Sequence, residues 1–165
     1  MLSIKNIALS YCEYDTVDEL EAMDRELINS AIQAAESAYA PYSGFRVGAA
    51  VRLDTGETVS GSNVENAAFP SGTCAERCAL SACWSGYPGK KPAALAIAAI
   101  SDGEFTDDPV PPCGNCRQLI AEEEMRHGKP VRIILSGRKK TLVFENSKIL
   151  LPFQFNKNNI TRAQS

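Results

Sequence analysis

Histidine is nearly missing from this chain: His127 is the only one in 165 residues, and there is one tryptophan. A metal site built on several histidines is therefore excluded. A basic excess is also missing, with 17 Lys and Arg against 20 Asp and Glu and a formal net charge of −3. Proteins that live on polyanions carry such an excess, so nucleic acid is not an expected partner. No apolar stretch approaches the length of a membrane span, so no membrane partner is expected either. The segment Met1–Tyr11 has Lys5 among its apolar residues and lacks a small-residue cleavage site. It is expected not to act as a secretory signal, and the expected location is cytoplasmic. Glycine (11) and proline (9) stay near average usage, and no internal repeat or low-complexity segment is visible.

The length fits one domain with a core that needs no covalent staples. Residues 1–15 read as an N-terminal extension, 16–155 as the domain, and 156–165 as a polar, frayed tail. Thr16-Val17-Asp18-Glu19 reads as a capping box opening a helix. Leu20, Met23, Leu27, Ile28, Ala31, Ala34 and Ala38 then recur at helical spacing, and Pro41 stops the helix at Ala40. Phe45–Leu53 and Glu57–Val64 read as a hairpin around Asp54-Thr55-Gly56. A second helix runs from Cys74 to about Trp84, and a third from Cys113 or Gly114 to about Arg126. Between them, the apolar run Pro92–Ser101 has the look of a central strand covered on both faces. Val131–Leu135 and Thr141–Phe144 complete the pattern. The order α-β-β-α-β-α-β-β predicts an α/β fold: three α/β/α layers around a mixed five-stranded sheet. The basic run Arg138-Lys139-Lys140 falls between the last two strands and reads as a solvated turn.

What the chain does have is cysteine: Cys12, Cys74, Cys78, Cys83, Cys113 and Cys116. In a chain with no secretory signal, clustered cysteines point to metal binding or catalysis more than to disulfides. Two segments carry the chemistry, Thr73-Cys74-Ala75-Glu76-Arg77 and Pro112-Cys113-Gly114-Asn115-Cys116-Arg117. Both fall at predicted helix N-termini, whose positive end favours thiolate over thiol, so these cysteines are expected to ionise readily. Cys74, Cys113 and Cys116 supply three ligands, and three leave a fourth position on Zn²⁺ for water, whose pKa falls from about 15.7 to about 7. Glu76 is placed to carry protons for that water. A proline-cysteine-x-x-cysteine segment after a Cys-x-Glu is the three-cysteine form of the signature of zinc nucleobase deaminases. Three thiolates leave zinc with a net negative charge, which Arg77 and the two helix N-termini would offset.

Competing readings exist. Thr73-x-x-Glu76 is also a capping box. Cys78, one turn after Cys74, would close a four-thiolate structural zinc with Cys74, Cys113 and Cys116, making the chain a non-catalytic binding module. Otherwise Cys78 and Cys83 are small core residues, Cys12 is unrelated, and His127 is a helix-end partner of the dipole.

From about Ala38 to Phe155 the chain resembles the cytidine deaminase family, in its small, homotetrameric, all-cysteine branch. The resemblance rests on Pro41-Tyr42-Ser43-Gly44-Phe45-Arg46-Val47-Gly48-Ala49-Ala50, on Gly61-Ser62-Asn63-Val64-Glu65-Asn66-Ala67, on the two cysteine segments and on Leu150-Leu151-Pro152-Phe153-Gln154-Phe155. It implies one Zn²⁺ per subunit and hydrolytic deamination of cytidine and 2′-deoxycytidine, with Glu76 as proton carrier. It also implies that Asn63 and Glu65 bind the ribose hydroxyls, that Phe45 packs on the pyrimidine, and that the backbone of Ala75 meets the base carbonyl. Phe155 matches an aromatic that reaches a neighbouring subunit's site. Residues 1–15 have no counterpart in that pattern. Another aminonucleoside, such as an antibiotic, is the alternative substrate on the same fold.

Overall fold

A computed structural model describes residues 2–160 of the chain. Seven strands form one mixed sheet: β1 (Cys12–Tyr14), β2 (Arg46–Leu53), β3 (Thr58–Ser62), β4 (Pro92–Ser101), β5 (Glu104–Phe105), β6 (Arg132–Ser136) and β7 (Thr141–Phe144). Their order is β1-β7-β6-β4-β2-β3, with β5 paired to β4 outside that path. Among the described strands only β4 and β6 run parallel; every other pair is antiparallel. The helices are α1 (Ala22–Glu36), α2 (Ala75–Gly86), α3 (Gly114–His127) and the single turn α4 (Lys157–Ile160). Residues 161–165 of the expected polar tail lie outside the described residues.

The period-two alternation of the strands divides the core into two. Ala49, Val51, Leu53, Leu95, Ile97, Ile133 and Leu135 face α2 and α3, meeting Ala79, Leu80 and Ile120. Ala50, Ala94, Ala96, Ala98 and Ile134 face α1, meeting Leu27, Ile28 and Ala31. The result is the three-layer α/β/α arrangement, with β4 buried on both faces as its unbroken apolar run implies. The face under α1 is built of small residues, so that helix lies close to the sheet. At Gly48 a Cβ would sit 1.9 Å from the Ala31 carbonyl oxygen and 2.3 Å from the Ala35 amide nitrogen. Gly48→Ala is expected to cost about 3 kcal/mol, the upper end of overpacking effects, because backbone rather than a flexible side chain must move. Urea unfolding of the variant measures it.

Four expectations need correction. The five-stranded sheet has two further short strands, β1 and β5. Cys12–Tyr14, within the expected extension, pairs with β7, and Glu104–Phe105 turns back on β4 through Asp102 and Gly103, both at positive φ. The capping box at Thr16 opens a 3-10 turn at Val17–Glu19 rather than the helix, whose N-cap is Glu21. At its other end the helix stops at Glu36, because the Ser37 side chain and backbone both bond back to the Ala34 carbonyl and Tyr39 then bridges to Val64. Finally, Met23 does not belong to the buried stripe: it is 54% exposed, and Asp24 takes the inward place at 3%.

Candidate metal centre and cavity

α2 and α3 begin at the same end of the sheet, and their N-caps are the two cysteines Cys74 and Cys113. Neither cap uses a side-chain hydrogen bond. The sulfurs are therefore free to face each other: the Sγ atoms of Cys74 and Cys113 stand 4.0 Å apart. Cys116, in the first turn of α3, completes a triangle whose three sulfurs lie within 4.8 Å of one another. On a tetrahedron with Zn–S bonds of about 2.3 Å, neighbouring sulfurs are about 3.8 Å apart. The triangle is thus of the right size for Zn²⁺.

The protonation preferences of the three thiols differ. Burial opposes ionisation of Cys113, but the backbone amides of Cys116 and Asn115 outweigh it and its pKa falls below the usual thiol value. Burial, the Glu76 carboxylate and the neighbouring sulfurs raise Cys74 and Cys116. The expectation that all of these cysteines ionise readily therefore holds for Cys113 alone. A dication among them would reverse the other two, since it is the largest local charge and deprotonates a coordinating thiol. The donor set fits zinc on both counts, spacing and charge.

Cys78 stands outside the triangle. A Cβ on Gly61 would meet the Cys78 Cβ at 2.8 Å and the Ala79 amide nitrogen at 2.4 Å. Cys78 thus packs against β3, in the space that a glycine leaves there. Cys83 is buried in the core, where burial pushes its thiol up to about 11, and Cys12 is exposed in β1. Two outcomes follow from this placement. Cys78→Ala should keep a full equivalent of zinc, whereas Cys116→Ala should lose most of it, as read by metal analysis after gel filtration.

Beside the sulfurs opens a cavity of about 530 Å³, within the range of small-molecule sites. Cys74, Cys113, Ala75 and Glu76 form part of its wall, with Phe45, Asn63 and Glu65 among the other lining residues. Glu76 is 4% exposed, and burial raises its pKa above the usual carboxylate value. It lies inside α2 and does not close a capping box with Thr73, because the N-cap is Cys74.

Known proteins are similar to this chain in sequence and fold. The model of the cytidine and deoxycytidylate deaminase zinc-binding region matches residues 21–128. The chain belongs to this family. The cytidine deaminase of Sporosarcina psychrophila is 38% identical over 143 residues, 86% of this chain and 98% of that one. That of Halalkalibacterium halodurans is 48% identical over 101 residues, covering 61% and 72%. The crystal structure of cytidine deaminase from Burkholderia pseudomallei superposes with a TM-score of 0.66 at 38% identity, over 79% of this chain and 97% of that one.

Within this family member, Asn63 and Glu65 do more than line the cavity. The Asn63 Oδ1 accepts the Val47 amide at 2.7 Å, and its Nδ2 donates to the Phe45 carbonyl at 3.0 Å. Glu65 accepts the Tyr42 and Ser43 amides at 2.8 and 3.2 Å and the Ser43 hydroxyl. The Ser43 hydroxyl and the Tyr42 amide hold the Glu65 carboxyl below its ordinary range. Both side chains therefore pin the 42–47 segment that presents Phe45, and each keeps acceptor capacity for a ligand. Val64 between them bonds to Thr73, so residues 63 and 65 point the same way.

Arg77 and Phe155 both stand away from the sulfurs and the cavity of their own chain. Arg77 is half-buried and, among the described residues, no hydrogen bond runs from it to a cysteine; its charge acts on Cys78. Phe155 is 59% exposed and lies outside the cavity of its own chain, its carbonyl accepting from Gln118 at 2.6 Å. His127 ends α3, with Nε2 3.4 Å from the Glu123 carboxylate. Sequence reasoning missed Arg117: its Nε donates to the Pro112 carbonyl at 2.9 Å and its Nη1 to the Leu150 carbonyl at 3.1 Å, bracing the approach to Cys113.

Proposed function

We propose that this chain is a zinc-dependent cytidine deaminase, a hydrolase that converts cytidine and 2′-deoxycytidine to the uridine forms with release of ammonia. The observation that carries the reading is the convergence of a three-thiol triangle and a buried Glu76 on one cavity with a polar wall. When bound, zinc supplies a Lewis acid that brings a water's pKa to about 7. The chain supplies the rest. Glu76 takes one proton from the water and delivers it to N3 of the base, then takes the remaining proton of the hydroxyl added at C4 and passes it to the departing amine. A carboxyl whose pKa is raised by burial suits both halves of that task. Phe45 packs on the pyrimidine, and the Ala75 amide, at the start of α2, meets the base carbonyl. Asn63 and Glu65 present amide and carboxylate groups to the ribose hydroxyls while holding Phe45 in place.

The enzyme is read as a cytoplasmic homotetramer, with Phe155 closing the cavity of a neighbouring copy, consistent with its exposure here. Among the described residues no helix is long and apolar enough to cross a membrane. Free nucleosides are favoured over polynucleotides because each cation of Arg138-Lys139-Lys140 is matched by a carboxylate of the same chain. The test is ammonia release from cytidine, free cytosine and single-stranded DNA, with and without a zinc chelator. Release from cytidine alone, lost with the chelator, is expected; release from DNA at a similar rate would overturn the substrate class.

A further inference from the structure

The β6–β7 turn does more than reverse the chain. The Arg138 amide donates to the Thr106 carbonyl at 2.8 Å, and the Lys139 amide to the Asp107 carbonyl at 3.0 Å. The Arg138 side chain reaches Asp107 at 2.5 Å and Glu104 at 3.2 Å, Lys139 reaches Asp107 at 2.6 Å, and Lys140 reaches Asp108 at 3.4 Å. Gly137 lets the two segments touch: a Cβ there would sit 2.6 Å from the Asp107 oxygen and 2.7 Å from the Pro109 nitrogen. The clamped segment continues as Pro109-Val110-Pro111-Pro112 and ends at Cys113. Three prolines fix φ at their positions, so this stretch behaves as a stiff rod. Its far end is braced by the Arg117 bond to Pro112. Val110 and Pro111, in the middle of the rod, line the cavity.

We propose that Arg138 is a positioning residue for substrate affinity: through Asp107 and the proline segment it holds Val110 and Pro111 as one wall of the nucleoside cavity. The ion pairs are surface pairs, Arg138 being 55% exposed, and such pairs add little to global stability. Their effect is local and geometric. Cys113 is held separately, by its place at the start of α3 and by the Arg117 brace. The wall can therefore shift without loss of the metal, so the clamp governs KM rather than kcat. Surface pairs are also screened by salt, so the wild-type KM should rise with ionic strength, and that rise should shrink once the clamp is removed.

This inference rests on the deaminase reading. The experiment compares wild type, Arg138→Ala and Gly137→Ala, each zinc-loaded, for cytidine turnover at low and high NaCl, with hydrogen exchange of the 106–113 amides. Arg138→Ala should raise KM about fivefold at low salt, the scale of one surface ion pair, with kcat and zinc content unchanged. Amide protection in 106–113 should fall in parallel, and Arg138→Lys should restore part of both. Gly137→Ala, which displaces the same segment sterically, should give the same KM signature. Unchanged KM in both variants, or a fall in kcat together with zinc loss, overturns the clamp. A wild-type chain that releases no ammonia from cytidine overturns the deaminase reading first, and the two failures are told apart by that control.

Discussion

Replacing Glu76 by glutamine is expected to cut deamination by about 10²–10⁴-fold, the usual contribution of a general acid–base group, while zinc stays bound. The size and shape of the side chain are kept, so the cavity wall and the first turn of α2 should not move. What is lost is the ability to accept a proton and return it. Metal retention should not suffer, because the substitution removes a negative charge that raises Cys74 and Cys116. Cytidine binding should survive as well, since Phe45, Asn63 and Glu65 lie on other segments. The check is ammonia release measured beside zinc content on the same preparation. A variant that keeps most of its activity would remove Glu76 from the mechanism. One that loses activity and zinc together would make Glu76 a support of the metal triangle instead.

The separation between site and scaffold also explains what was legible in the sequence. The metal triangle is local information: Cys74 and Glu76 are two residues apart, Cys113 and Cys116 three, and both segments start helices. β4 and β7 were legible to the residue, because an unbroken apolar run and a short β-branched run are bounded by turn chemistry. β1 and β5 were not, since strands of two or three residues are set by the edge they pair with rather than by their own pattern. The double role of Asn63 and Glu65 was hidden for a similar reason. Glu65 bonds a segment 22 or 23 residues earlier, and no spacing rule links the two. Reading Cys78 as a packing residue was open to the sequence, but its physical cause was not, because that depends on the missing side chain of Gly61 on another strand.

Asp24 is the largest surprise of the scaffold, and its removal should be among the most costly scaffold changes outside the cavity. Helical spacing put Met23 inward, yet Asp24 is buried at 3% exposure. Two arginines from different strands account for this. Arg52 of β2 reaches Asp24 Oδ1 at 3.1 Å, and Arg132 of β6 reaches Oδ2 at 3.0 Å. Arg52 also donates to the Met23 carbonyl at 2.9 Å, and Arg132 to Glu145. One carboxylate therefore ties α1 to two strands that flank β4. Burial and charge pairing, not hydrophobicity, decide which of the two neighbours points inward. Asp24→Ala leaves two part-buried guanidinium groups without their shared anion. Removing one partner of a fully buried pair costs about 3–5 kcal/mol, and here water reaches both arginines in part, so about 2–4 kcal/mol is expected. For a chain of this size that lowers the melting temperature by on the order of 10 °C. Asp24→Asn should recover only part of it, because the amide keeps one accepting oxygen, turns an NH2 donor toward the other arginine and loses the charge that two cations share. Calorimetry of both variants decides the matter. A loss below about 0.5 kcal/mol in Asp24→Ala, the ordinary range for surface changes, would mean that α1 is held by its small-residue contact with the sheet alone.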